Sequence, residues 1–184
     1  MPILPREPNV SPADLFSNTS LARNDQRWWV AQTIARQEKG LARHLLGKEV
    51  SFYLPLAHKS RMISGRKRTS HIPLFSGYVF ILGSEDDRVT ALTSNIIVNL
   101  LPVSDTNQMT LDLTRLEQVE RSGVEVSLET KLQPGRLVRV LSGPLMGIEG
   151  TVSSRRGENR LILAVTFLRQ GASLLIGDYQ VEPI

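Results

Sequence analysis

The chain has 184 residues, 41% of them hydrophobic and 22% charged, with a formal net charge of +4. That supplies enough apolar material for one ordinary domain or two small ones and excludes a disordered tail or a fibre. With no cysteine there is neither a disulfide framework nor a thiolate metal site, as in a protein of a reducing compartment, so a cytoplasmic location is expected.

Met1–Pro8 lacks the apolar run of a signal peptide, and no later stretch reaches the length of a membrane span, so no membrane association is expected. The positive charge falls in two blocks, residues 27–100 and 131–184, separated by an acidic stretch over 101–130. Such blocks suit a polyanionic partner better than a small overall excess does.

Residues 1–26 carry four prolines and no helical or strand period, and read as a flexible leader. At Arg27-Trp28-Trp29-Val30-Ala31-Gln32-Thr33-Ile34-Ala35 the composition turns aromatic and β-branched, which predicts the first strand. From Arg36 to Leu46 the spacing is helical: Leu41 with Leu45 and Ala42 with Leu46 stack at i, i+4, and Arg36, Lys39 and Arg43 form a basic stripe. Gly47 suits the helix stop.

Val50–Leu56 predicts a second strand. His58–Thr69 then reads as a hairpin with Ser64-Gly65 at its tip. No Asp or Glu occurs between Glu49 and Glu85, so Lys59, Arg61, Arg66, Lys67 and Arg68 project positive charge without local neutralisation, a pattern suited to phosphate contact. Pro73-Leu74-Phe75-Ser76-Gly77-Tyr78-Val79-Phe80-Ile81-Leu82 follows as an apolar run with more aromatics than one strand face can use. One face is expected to join the core and the other to lie open as an interaction patch.

Ser84-Glu85-Asp86-Asp87 is a helix start, with a capping hydroxyl and carboxylates at the positive end of the dipole. Ile96–Leu101 predicts another strand stopped by Pro102, and Asp112–Glu120 a third helix with Leu113, Leu116 and Val119 on one face and Gly123 closing it. These elements predict an α+β fold, an antiparallel sheet flanked by helices over residues 27–120. Residues 121–132 read as a linker. From 133 to 184, five short strands between Gly-rich turns predict a small β-barrel.

Gly143, Gly147 and Gly150 do not form a phosphate loop, because no Lys-Ser/Thr and no helix follows; they are expected to serve tight turns. His44, His58 and His71 have no metal-ligand spacing. No catalytic, metal or cofactor site is expected, and the chain does not read as an enzyme.

Arg27-Trp28-Trp29-Val30-Ala31-Gln32, Pro73-Leu74-Phe75-Ser76-Gly77-Tyr78-Val79-Phe80 and Gly135–Val152 together resemble the NusG family of transcription elongation factors, the last block being similar to the family's KOW motif. The resemblance implies an NGN-type α/β sandwich followed by an SH3-like KOW barrel, in a monomer. It implies binding of the RNA polymerase clamp helices through a depression to which Trp28, Gln32, Phe75, Tyr78 and Phe80 are carried over, with suppression of pausing or termination. Arg36, Lys39, Arg43, Lys59, Arg61, Arg66, Lys67 and Arg68 would then lie near non-template DNA at the transcription bubble. Phe167 and Leu168 are placed where a KOW barrel docks the termination factor Rho or a small-subunit ribosomal protein.

Ser76 and Arg136 depart from the family pattern, and the short hairpin resembles the operon-specific paralogue RfaH more than general NusG. The alternative from another class is a ribosome-associated, KOW-containing RNA-binding protein.

Overall fold

The computed structural model describes residues 8–17, 25–63, 65–132, 135–155, 157–177 and 179–184. Its elements in chain order are β1 (Val10–Ser11), β2 (Arg27–Thr33), α1 (Glu38–Gly47), β3 (Ser51–Tyr53), β4 (Leu56–Ile63), β5 (Arg66–Pro73), β6 (Tyr78–Gly83), α2 (Glu85–Leu92), β7 (Ile97–Pro102), α3 (Thr106–Ser122), β8 (Ser127–Glu129), β9 (Arg136–Val140), β10 (Glu149–Arg155), β11 (Glu158–Val165), a 3-10 turn (Thr166–Leu168), β12 (Gln170–Leu175) and β13 (Val181–Pro183). The chain is α+β and gathers into two compact units. One comprises Met1–Pro55 with Phe75–Ser104, the other Leu56–Leu74 with Asp105–Ile184. The β4–β5 hairpin and α3, expected within residues 27–120, thus group with the strands of the C-terminal half.

The first unit is built on an antiparallel sheet in the order β1-β3-β6-β2-β7. Strand β6 lies between β3 and β2, with Phe80 opposite both Tyr53 and Val30 and with Ile81 opposite both Phe52 and Trp29. Successive side chains of a strand point to opposite faces. Phe80 and Ile81 are nevertheless both 0% exposed. The expected open face is therefore absent: a central strand with an unbroken apolar run is covered on both sides. Helix α2 covers the Trp29 face, where the Arg88 guanidinium lies 5.6 Å from the Trp29 ring centroid.

Val10–Ser11, expected as part of a flexible leader, form a strand of this sheet. Strand β1 pairs with β3, Val10 opposite Tyr53 and Ser11 opposite Phe52. Two residues are too short for any period to register, so no strand signal is readable there. Helix α1 starts two residues later than expected, because Arg36 takes the left-handed conformation (φ 62°) just before it. Helix α2 has the expected cap. Ser84 Oγ accepts from the Asp87 amide, and Asp87 Oδ2 accepts from the Ser84 amide at 2.9 Å, a reciprocal capping box.

In the second unit, β4 and β5 pair from Leu56 opposite Pro73 to Ile63 opposite Arg66, as the hairpin reading predicts. Helix α3 begins at Thr106, six residues before the expected start, because Asp105 caps it by accepting from the Gln108 amide at 2.9 Å. Met109, Leu113, Leu116 and Val119 form its buried face.

The remaining strands form one antiparallel sheet in the order β13-β9-β10-β11-β12-β8, with Val138, Val140, Leu145, Leu161, Leu163, Val165 and Leu174 buried. Residues 127–129, expected in a linker, form β8 and pair with β12. Gly143 and Gly147 have positive φ, as turns require, but Gly150 lies within β10. What requires glycine there is close approach: a Cβ at Gly150 would sit 2.8 Å from the Ile162 carbonyl oxygen.

Candidate functional site

In the first unit, three segments converge at one end of the sheet. The chain between β5 and β6 turns at Gly77, whose φ of 82° suits glycine. Its amide donates to Glu38 Oε1 at 2.6 Å, and its carbonyl accepts from the Thr33 amide at 2.9 Å. Glu38, in the first turn of α1, is 4% exposed. The turn is thereby fixed to both β2 and α1. Directly beyond it, Tyr78 opens β6 opposite Gln32 of β2. Gln32 Nε2 donates to the Tyr78 phenol oxygen at 3.1 Å, and both side chains are half-exposed.

Of the five aromatic and polar residues carried over for a depression, Gln32 and Tyr78 therefore reach the surface. Trp28, Phe75 and Phe80 do not: each is at most 1% exposed. Phe75 meets Phe80 edge-on at 6.1 Å, while Trp28 stacks with Phe16 at 6.1 Å. By register, Trp28 and Phe80 lie on the same sheet face as Gln32 and Tyr78. Aromatic rings of this size gain most by complete burial, which is why an aromatic-rich strand gave an ambiguous signal.

The basic residues occupy several settings. Lys39 and Arg43 lie on α1 at i, i+4, Lys39 half-buried and Arg43 exposed. Arg36 precedes the helix and is exposed, so it is not part of a continuous helical stripe. On the hairpin of the second unit, the backbone register sets Arg61 opposite Arg68, Lys59 opposite Ser70 and Ile63 opposite Arg66. Arg66 is exposed; the side chains of Lys59, Arg61, Lys67 and Arg68 lie outside the described residues. His58 and His71 face each other across the hairpin, ring edge to ring face, at 4.4 Å.

Phe167 and Leu168 sit on the 3-10 turn after β11, Phe167 exposed and Leu168 half-buried. That turn is held by α3: Asp112 Oδ2 accepts from the Thr166 amide at 2.9 Å, and Asp112 Oδ1 accepts from Gln108 Nε2 at 2.7 Å. One turn along α3, Arg115 donates to Glu149 Oε2 at 2.8 Å. Glu149 Oε1 accepts from Arg139 Nη2 at 2.7 Å, so each carboxylate oxygen meets a guanidinium. The Arg139 hydrogen bond, with the two positive charges beside it, holds the Glu149 carboxyl below its ordinary range. Glu117 on the same helix is shifted the opposite way, because burial outweighs its ion pair with Arg121.

The family model described as "Transcription termination factor nusG" matches residues 26–125, more than half of the chain. The chain belongs to the NusG family. Its members bind RNA polymerase and act in transcription elongation and termination. Among curated relatives, the NusG transcription termination/antitermination protein of Pseudomonas aeruginosa is 26% identical over 179 residues, spanning 86% of this chain and 99% of the relative. Among solved structures, one titled "Domain interaction in Thermotoga maritima NusG" aligns over 86% of this chain and 97% of its own, at 16% identity and a TM-score of 0.48. A structure of the MjSpt4:Spt5 complex aligns over 85% of this chain and 97% of its own, at 14% identity and a TM-score of 0.27.

Three residues with structural roles in one unit or the other escaped sequence reasoning. Glu38, which pins the turn before Tyr78, carries no sequence signal that sets it apart. Asp112 looked like a helix start, whereas it lies inside α3. Its signal was the Asp105-Thr106-Asn107-Gln108 capping pattern, which moves the helix start upstream. Glu149 was hidden among the glycines around it. Among the described residues, no helix is long and apolar enough to cross a membrane.

Proposed function

We propose that this NusG-family protein is an elongation factor and antiterminator. In this reading it binds the clamp helices of RNA polymerase through a first-unit surface centred on Gln32 and Tyr78. Residues 27–120 carry that contact, and residues 133–184 act as a KOW docking module. The observation that carries the reading is the hydrogen-bonded Gln32–Tyr78 pair, held at the surface by a turn that Glu38 fixes. A tyrosine supplies apolar area together with a polar tip, and loses little side-chain freedom on binding when it is already pinned.

Phe75 and Phe80 act in this reading as the packed support of that surface, and Trp28 extends it along the same sheet face. By bridging polymerase elements around DNA, the bound factor disfavours opening of the enzyme and so suppresses pausing or termination. Arg36, Lys39 and Arg43, with the hairpin residues Lys59, Arg61, Arg66, Lys67 and Arg68, serve non-template DNA beside the bubble. Five basic residues on one hairpin, with no Asp or Glu between Glu49 and Glu85, support a phosphate partner there. Phe167 and Leu168 dock Rho or a small-subunit ribosomal protein, and the short hairpin supports an operon-specific role over a housekeeping one. The family match over residues 26–125, ahead of the Gly-rich strands, supports this reading over a ribosome-associated RNA-binding protein.

The test is affinity for core RNA polymerase and for an elongation complex. Tyr78→Ala combined with Gln32→Ala, folded by circular dichroism, weakens binding at least about tenfold, since central anchors at an interface are each worth about 1–2 kcal/mol or more. Unchanged affinity would sink the assigned surface. Neutralising Arg66, Lys67 and Arg68 lowers the salt slope of elongation-complex binding by about two, at about 0.7 per single-strand phosphate contact. An unchanged slope would return those residues to an ordinary solvated surface.

A further inference from the structure

We infer that residues Asn9–Phe16 form a cis strap that closes over the Trp28 side of the first unit and must lift before the polymerase can pack against Trp28 and Tyr53. This rests on the polymerase-binding reading above, and its own observations are separate from it.

The strap is attached at the sheet edge. Beyond the two-residue pairing of β1 with β3, the Leu54 amide donates to the Asn9 carbonyl at 2.6 Å, and Asn9 Nδ2 donates to the Leu54 carbonyl at 3.2 Å. The chain then coils back through short turns, with the Leu15 amide donating to the Pro12 carbonyl at 3.0 Å. Those turns bury Leu15 and bring the Phe16 ring onto two aromatic residues at once. It stacks on Trp28, with planes 13° apart, and meets Tyr53 edge-on at 5.1 Å. Val30 and Phe80 lie on the same sheet face as these two by register. Phe16 therefore covers part of the face on which the family resemblance places the polymerase contact.

Two features make this a removable cover rather than core. The strap lies outside the matched family domain, which begins at residue 26, so the domain's defining pattern does not include it. It is also held by a two-residue edge strand, whereas β2, β6 and β3 pair on both sides. Short edge elements open locally at lower free energy than central strands. With the strap lifted, Trp28 and Tyr53 gain an exposed apolar side continuous with the Gln32–Tyr78 end of the same face, which suits an apolar helical element of the polymerase. The apparent affinity of the full chain is then its intrinsic affinity reduced by the fraction of molecules with the strap open.

The experiment compares the full chain, a form lacking residues 1–17, and Phe16→Ala, each verified as folded. It measures core-polymerase affinity, and it follows hydrogen exchange at the Leu54 amide against the amides of β6. Both strap variants are expected to bind about tenfold tighter or more, corresponding to a strap closed in about nine of ten molecules. A peptide of residues 8–17 added in trans should weaken the truncated form again. In the full chain, Leu54 should exchange at least about tenfold faster than β6. Equal or weaker binding by both folded variants would overturn the strap and make it an ordinary part of the core. If neither the full chain nor the truncated form binds polymerase, the functional reading fails instead, and the exchange data decide the strap: fast exchange at Leu54 sustains it, and exchange as slow as in β6 overturns it.

Discussion

Asp112→Ala should loosen the 3-10 turn that carries Phe167 and Leu168. Asp112 is 4% exposed and accepts two hydrogen bonds, from the Thr166 amide at 2.9 Å and from Gln108 Nε2 at 2.7 Å. Alanine removes a charged acceptor and leaves two donors without it. A hydrogen bond to a charged group contributes about 1.5–3 kcal/mol, and a donor left unsatisfied in a buried place costs a similar amount. Gln108 is half-buried and can turn toward water, so its share is small. The loss then falls mainly on the Thr166 amide, and because Thr166 is itself exposed water recovers part of it, leaving about 1–2 kcal/mol. Asp112→Asn retains one acceptor oxygen and should recover about half of it. Urea unfolding of the full chain reads both variants, and hydrogen exchange at the Thr166 amide locates the effect. A loss below about 0.5 kcal/mol for alanine, the range of an ordinary surface substitution, would refute a structural role for this contact.

Gly150→Ala should destabilise the second unit by about 2 kcal/mol, because its new Cβ would meet the Ile162 carbonyl oxygen at 2.8 Å, a backbone atom that cannot swing away; a variant as stable as the parent in thermal unfolding would contradict that packing. Glu149 sets a pH dependence of definite sign. Its folded-state carboxyl lies below the ordinary value of 4.5, so the stability it contributes is present above about pH 4.5 and is lost as the pH falls through the lower folded value. Glu149→Gln should flatten the acid side of a stability profile taken between about pH 3 and pH 7. Glu117, raised by burial, acts in the opposite sense: its cost is present above its raised value and relieved as pH falls through it. A Glu149→Gln profile superimposable on the parent would show that the two-arginine contact contributes nothing.

Much of the architecture could be read from local pattern. The strand that opens at Arg27, the hairpin after Leu56, the Ser84 cap and the succession of short strands after residue 135 all follow from alternation, turn residues and capping chemistry. What escaped reading depends on partners distant in sequence. The aromatics of residues 73–82 looked excessive for one strand face, and the sequence cannot say whether a second covered face or a partner takes the excess; Phe80 and Ile81 are both covered. Strand β1 is too short to carry a period and exists because Tyr53 and Phe52 offer it an edge. Asp112 and Glu149 acquire their roles only when α3 comes to lie beside the 3-10 turn and β10. The surface pair was half readable: Tyr78 and Gln32 came from the family resemblance, but their hydrogen bond, and the Glu38 contact that fixes the turn beside them, required the register of β2 against β6.

The central claim, that the Gln32–Tyr78 surface is where this NusG-family protein meets RNA polymerase, is tested most directly by placing a photo-crosslinking phenylalanine derivative at position 78 and irradiating a halted elongation complex. The account predicts a crosslink to the clamp helices of the polymerase, reduced when unlabelled protein competes. Crosslinking to ribosomal proteins in a mixed extract, with none to polymerase in the purified complex, would contradict it.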